Sequence, residues 1–104
     1  HEVATAYFDV HRVRTLTETL MVVVNKNSTI RRIEVLEFNE PEDYVPRASW
    51  YAQFAGKPLG PELSLKHDIR PVSGATLTAK ATTDAVRRVL AIHQVVTARE
   101  KTKP

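Results

Sequence analysis

Polar and apolar residues alternate in the N-terminal part of the chain. In "VATAYFDVHRVR", residues 3–14, Ala4, Ala6, Phe8 and Val10 fall on one side and Thr5, Tyr7, Asp9 and His11 on the other. That two-residue period predicts an entry strand, with a helix as the competing reading. "TLMVVVNKNSTIRRIEVLEF" then reads as strand, turn, strand. The Val-rich first run suits a pleated surface. Asn25, Lys26, Asn27 and Ser28 form a polar turn in which Asn is suited to positive φ. In the second strand Ile33 and Val35 share one face and Arg32 and Glu34 the other, so an antiparallel hairpin with one face on a core is expected.

"NEPEDYVPRASWYAQFAGKPLGPE" breaks the strand pattern at Pro41 and Pro46 and predicts a loop. Ser49 is placed to cap a short helix over Trp50 to Ala55 that ends at Gly56, with Trp50 and Phe54 on one face. Pro58, Gly60 and Pro61 predict another loop, and "LSLKHDI" a short strand.

"RPVSGATLTAKATTDAVRRVL" follows, a small-residue turn that runs into a helical pattern from about Thr78. Ala81, Ala85, Val89 and Ile92 recur at helical spacing beside Val86 and His93, while Asp84, Arg87 and Arg88 fall towards solvent. Residues 97–104 are expected to fray. The expected fold is α+β, one domain over residues 1–104: an antiparallel sheet, a C-terminal helix packed across it, and a short aromatic helix in a loop.

Composition narrows the function classes. A chain of 104 residues fits one small domain, and 42% hydrophobic with 26% charged residues suits a globular protein. The longest apolar run, Leu20 to Val24, is far too short to span a membrane. The absence of cysteine excludes disulfides, thiolate catalysis and iron–sulfur ligation. The net charge of +3 comes from scattered short basic spots, so no nucleic-acid partner is expected. The four histidines form no metal-ligating pair, and no metal is expected. "SGAT" is not a nucleophile elbow, and no dinucleotide-binding glycine pattern is present. The start at His1 rather than Met is expected of a processed or excised segment.

The turn before the last helix carries the candidate chemistry. A helix N-terminus presents unpaired N–H groups and a positive dipole end. Gly74 and Ala75 offer little bulk to an approaching phosphate, and Ser73, Thr76 and Thr78 add hydroxyls. The bland alternative is an ordinary helix cap.

The hexapeptide "SGATLT", Ser73 to Thr78, resembles the signature of the FMN-binding domain family. That family includes flavin-carrying subunits of sodium-pumping NADH:quinone reductases and Rnf-type complexes. The hairpin, the Glu-Pro loop "NEPEDY", the short aromatic helix "WYAQFAGK" and the closing helix follow in the family's order, so the resemblance covers most of residues 18–95. It implies FMN held at the turn, with Ser73, Gly74, Ala75, Thr76, Leu77 and Thr78 around its phosphate. In many members the Thr of Gly-Ala-Thr, here Thr76, carries FMN through a phosphoester bond made by a flavin transferase. Two departures bear on this. The family's transferase motif has an Asp three residues before the Ser, whereas here Arg70 holds that place. The loop reads "EPEDYVP" where members often have a Glu-Thr-Pro-Gly type. Covalent attachment at Thr76 and non-covalent FMN with Arg70 on its phosphate therefore both stay open.

Tyr44, Trp50, Tyr51 and Phe54 supply aromatic walls of the kind an isoalloxazine needs, or else Trp50 and Phe54 fill the core. Glu40, which aligns with the acid of the family loop, is a candidate for the ring, and Glu42 and Asp43 read as solvated. The resemblance implies a small FMN-carrying electron-transfer domain that serves a redox protein partner, membrane-associated and extracytoplasmic, and is a carrier rather than a substrate-transforming enzyme. The rival readings are a non-redox binding module of the same fold and a small FMN-dependent reductase.

Overall fold

A computed structural model describes residues 4–41, 45–65, 67–72 and 74–101. The elements are β1 (Thr5–Arg12), β2 (Thr17–Val24), β3 (Ile30–Phe38), α1 (Ala48–Ala52) and α2 (Thr76–Lys101). The strands form one antiparallel sheet in the order β1-β2-β3. The fold is therefore α+β as the sequence predicts, with α2 packed against β1 and β2.

The hairpin keeps its alternation with two corrections built in. Val24 pairs with Ile30 and Val23 with Arg32, so Arg31 is extra on β3. Leu20 pairs with Val35 and Thr19 with Glu37, so Leu36 is extra as well. Each irregularity shifts the facing by one residue. The first lets Ile30 and Ile33, an odd number of positions apart, both reach the core. The second leaves Leu36 exposed. In the turn, positive φ falls on Ser28 at 66° and not on an Asn. Asn27 instead accepts hydrogen bonds from the Thr29 amide and hydroxyl, and Asn25 accepts one from Arg31, so both asparagines hold the turn by side chain.

β1 is a strand, but its polar face points inward. Tyr7, Asp9 and His11 lie under α2, whereas Phe8 and Val10 are 68% and 65% exposed. The cause is a buried carboxylate on β2. Glu18 is fully buried; it accepts hydrogen bonds from His11 at 2.7 Å, the Thr82 hydroxyl at 3.0 Å and the Tyr51 hydroxyl at 3.0 Å. His11 also bonds Asp9, which takes a forked pair of bonds from Arg88 on α2. Tyr7 bonds His93 on the same helix. An apolar face on β1 would leave Glu18 without its histidine, and a buried unpaired charge is costly.

Corrections elsewhere have equally local causes. α1 starts at Ala48 after Arg47, so Ser49 lies inside it and makes no cap; the turns after it close at Gly56, whose φ is 82°. "LSLKHDI" forms no strand among its described residues. The amides of Asp68 and Ile69 bond the carbonyls of Glu62 and Ser64, which spends locally what a ladder would need. Its apolar residues Leu63 and Ile69 are nevertheless core. On α2 the expected Ala85, Val86, Val89 and His93 are buried, but Ile92 is 47% exposed and Ala81 only half-buried, while Ala79 and Thr82 are inside, so the stripe is wider towards those residues than expected. Polar Thr82 and His93 are inside because β1 and β2 supply their partners. Arg87 does not face open solvent: its guanidinium donates to the carbonyls of Gly60 and Leu63. Helical backbone continues to Lys101, and the remaining tail lies outside the described residues.

Two tests follow from the buried network. Glu18→Ala strands three donors and should lower the unfolding free energy by about 3–5 kcal/mol in urea titration. For His11, burial alone would lower the pKa, but bonds to Glu18 and Asp9 more than offset it and raise it. A raised folded pKa gives stability that is fully present below the ordinary value of 6.5 and is lost as pH rises through the folded value. Thermal unfolding across that range should show the loss, and His11→Gln should flatten it.

Candidate functional site

The approach to the turn is fixed by α1. The Trp50 indole N–H donates to the Arg70 carbonyl, and the Arg70 amide donates to Gln53 Oε1 at 2.7 Å. Both backbone groups of Arg70 are thus held, a few residues before the helix begins. Trp50 itself is 7% exposed and packs edge-on against Tyr51 and Phe54, at centroid distances of 5.1 and 5.3 Å. It serves the core and the approach at once. Tyr51 is committed to Glu18, with burial first and the Glu18 charge second pushing its hydroxyl towards staying protonated.

At the turn Gly74 has φ of 80°, a left-handed conformation that an L side chain rarely adopts. A Cβ there would meet nothing within 4 Å, so glycine is required by backbone angle and not by crowding. Ala75 is buried. Its carbonyl accepts from the Ala79 amide at 3.0 Å. Thr76 and Leu77 are exposed, and no acidic residue sits in the first turn of α2 to compete for an anion. Thr78 is 1% exposed, and its hydroxyl has no hydrogen-bond partner among the described residues. Ser73 and Tyr44, together with Glu42 and Asp43, lie outside the described residues.

Two hollows flank the turn. One, of about 310 Å³, is lined by Gly74 to Thr78 and, across from them, Arg14. The other, of about 780 Å³, is lined by Trp50, Arg47, Arg70 and Ala75 among others. Ala75 borders both. Arg70 therefore stands on the tryptophan side and does not line the hollow that holds Thr76; Arg14 occupies that place. Nothing in the linear sequence ties residue 14 to residue 76, because their proximity comes from β1 lying beneath α2.

Glu40 is drawn to the same side. Its Oε2 accepts the amides of Arg14, Thr15 and Leu16 at 3.0, 2.8 and 3.0 Å. The Leu16 amide foremost, against a cost of burial, then those of Thr15 and Arg14 and the Arg14 charge, hold its carboxyl below the ordinary range. This oxygen is thus spent on the β1–β2 loop. Among the described residues no group of three acidic or histidine side chains could hold a metal ion, and no helix is long and apolar enough to cross a membrane.

The α2 N-terminus is thus free of acids in its first turn and shares a hollow with an exposed threonine and Arg14. The chain belongs to the FMN-binding domain family, whose sequence model matches residues 16–91. FMN is the cofactor this membership gives, and the orphaned Thr78 hydroxyl and facing Arg14 fit its phosphate. No curated protein and no solved structure matches the chain significantly.

The Arg70 anchor can be tested by Gln53→Ala. Loss of one hydrogen bond of about 1 kcal/mol should speed amide exchange at Arg70 about fivefold, measured by NMR, with little change in the β2 core amides.

Proposed function

We propose that this chain is an electron-transfer domain whose FMN is attached through a phosphoester to Thr76. The observation that carries this is the exposed Thr76 at the α2 N-terminus, in one hollow with Arg14 and within the family-matched segment. An exposed hydroxyl is what an external flavin transferase needs. In the transfer, Thr76 Oγ forms the new bond to the phosphorus of an activated FMN donor. The threonyl proton goes to the transferase, and the donor's leaving group departs with the electron pair of the broken bond.

The phosphate then lies against the N–H groups of α2, where the helix dipole favours negative charge. The second hollow meets the turn at Ala75 and offers the Trp50 edge together with Arg47 and Arg70, so we place the flavin ring there. FMN supplies the redox chemistry; the chain supplies placement and charge. Arg70 on this side suits the electron-rich edge of the ring better than the phosphate. The electron partner is a redox protein at a membrane, and the domain works outside the cytoplasm.

Co-expression with a flavin transferase followed by intact mass spectrometry tests the reading. The expected result is an added FMN mass less one water in the wild type, with complete loss in Thr76→Ala. Thr78→Ala should keep the adduct; covalent flavin retained in Thr76→Ala would overturn the assignment.

A further inference from the structure

We propose that Arg14 is the cation that closes the phosphate site from across the turn, and that Glu40 positions it through the β1–β2 loop. This rests on the flavin reading above for the identity of the phosphate.

Four observations converge on it. The hollow at the α2 N-terminus has one wall from Gly74 to Thr78 and the other from Arg14, a residue some sixty positions away in sequence. Thr78 lines the same hollow, and its buried hydroxyl has no partner among the described residues. The first turn of α2 holds no acid, so its dipole end meets no internal counter-charge there. Finally, the loop that carries Arg14 is pinned: three successive amides, that of Arg14 included, converge on one Glu40 oxygen.

This last feature divides the labour. A run of amides such as Arg14 to Leu16 is itself an anion-binding concavity. Glu40 fills it from within the chain, so the loop does not compete with α2 for the ligand. The Arg14 side of the loop lines the hollow, and the planar fork of a guanidinium matches a phosphate. Glu40, which aligns with the acid of the family loop and is on that ground a candidate for the ring, thus acts on the phosphate side through backbone geometry.

The test uses isotope-labelled chain produced without a flavin transferase, titrated by NMR with inorganic phosphate, FMN and riboflavin. Phosphate and FMN should shift the Thr76 to Thr78 amides and the Arg14 Nε resonance, and riboflavin should not. Arg14 is exposed, so Arg14→Gln leaves the core intact. It should weaken phosphate and FMN about 10- to 100-fold, the worth of a charged hydrogen-bonded contact, and leave riboflavin unchanged. Glu40→Gln should weaken the same two ligands to a smaller degree, again sparing riboflavin. FMN bound equally well by Arg14→Gln would overturn the Arg14 assignment while leaving the flavin reading in place. Phosphate captured at these residues and lost in Arg14→Gln, with FMN refused, would support the clamp and sink the flavin reading. Binding of neither phosphate nor FMN would overturn both. A Glu40→Gln chain that is less stable but keeps its preference for FMN over riboflavin would remove Glu40 from the positioning role.

Discussion

Glu18 is the point at which every layer of this domain meets. It sits on the central strand, and its oxygens take donors from β1, α1 and α2, through His11, Tyr51 and Thr82. A fully buried carboxylate contributes little to stability by itself, because desolvation offsets most of its attraction. It is demanding instead: each donor must be in place. That requirement sets which face of β1 turns inward, that Thr82 of α2 lies inside, and where α1 rests. With α1 fixed by Tyr51, its neighbours Trp50 and Gln53 reach the backbone of Arg70 and hold the approach to the turn. The position of the turn before α2 thus descends from a charge that has no place in the turn itself.

The legible part of the fold was the part governed by apolar period and punctuation. The Val-rich run of β2, the Ile33 and Val35 alternation and the long helix followed from spacing alone. Trp50 and Phe54 share a face as their separation implies. The facing of β1 is misread by period because of buried polar residues. The strand period sets Tyr7 and Asp9 opposite the apolar side, yet each has a specific partner that lets it lie half inside, whereas His93, placed beside the helical stripe, is buried as that placement implies. Phe8 and Val10, sorted inward, were displaced by that network. The bulges at Arg31 and Leu36 belong to the same limit, since an extra residue shows only against its partner strand.

Of the turn, the sequence showed the residues and not their setting: Gly74 takes a positive φ, Thr76 is exposed and Thr78 is buried. What the sequence hid was everything contributed from a distance. Arg14 lies opposite Thr76 only because of how β1 and α2 cross. Glu40, which aligns with the acid of the family loop and is on that ground a candidate for the ring, bonds the backbone of the β1–β2 loop beside Arg14.

The two threonines of the turn show why burial, and not only residue type, decides chemistry here. Thr76 and Thr78 carry the same nucleophile beside the same helix dipole. Thr78 is 1% exposed, and a transferring enzyme cannot bring a flavin donor to an oxygen it cannot reach. Thr76 is open to solvent and lines one hollow with Arg14, whose charge would stabilise an incoming phosphate under the proposed attachment. A buried hydroxyl with no partner, as Thr78 has none among the described residues, costs about 1–3 kcal/mol. A phosphate oxygen that approached Thr78 would recover part of that cost, and this would add to the binding of the very group that Thr76 is exposed to accept. The exposed threonine is thus suited to making the bond, and the buried one to favouring the geometry in which it is made.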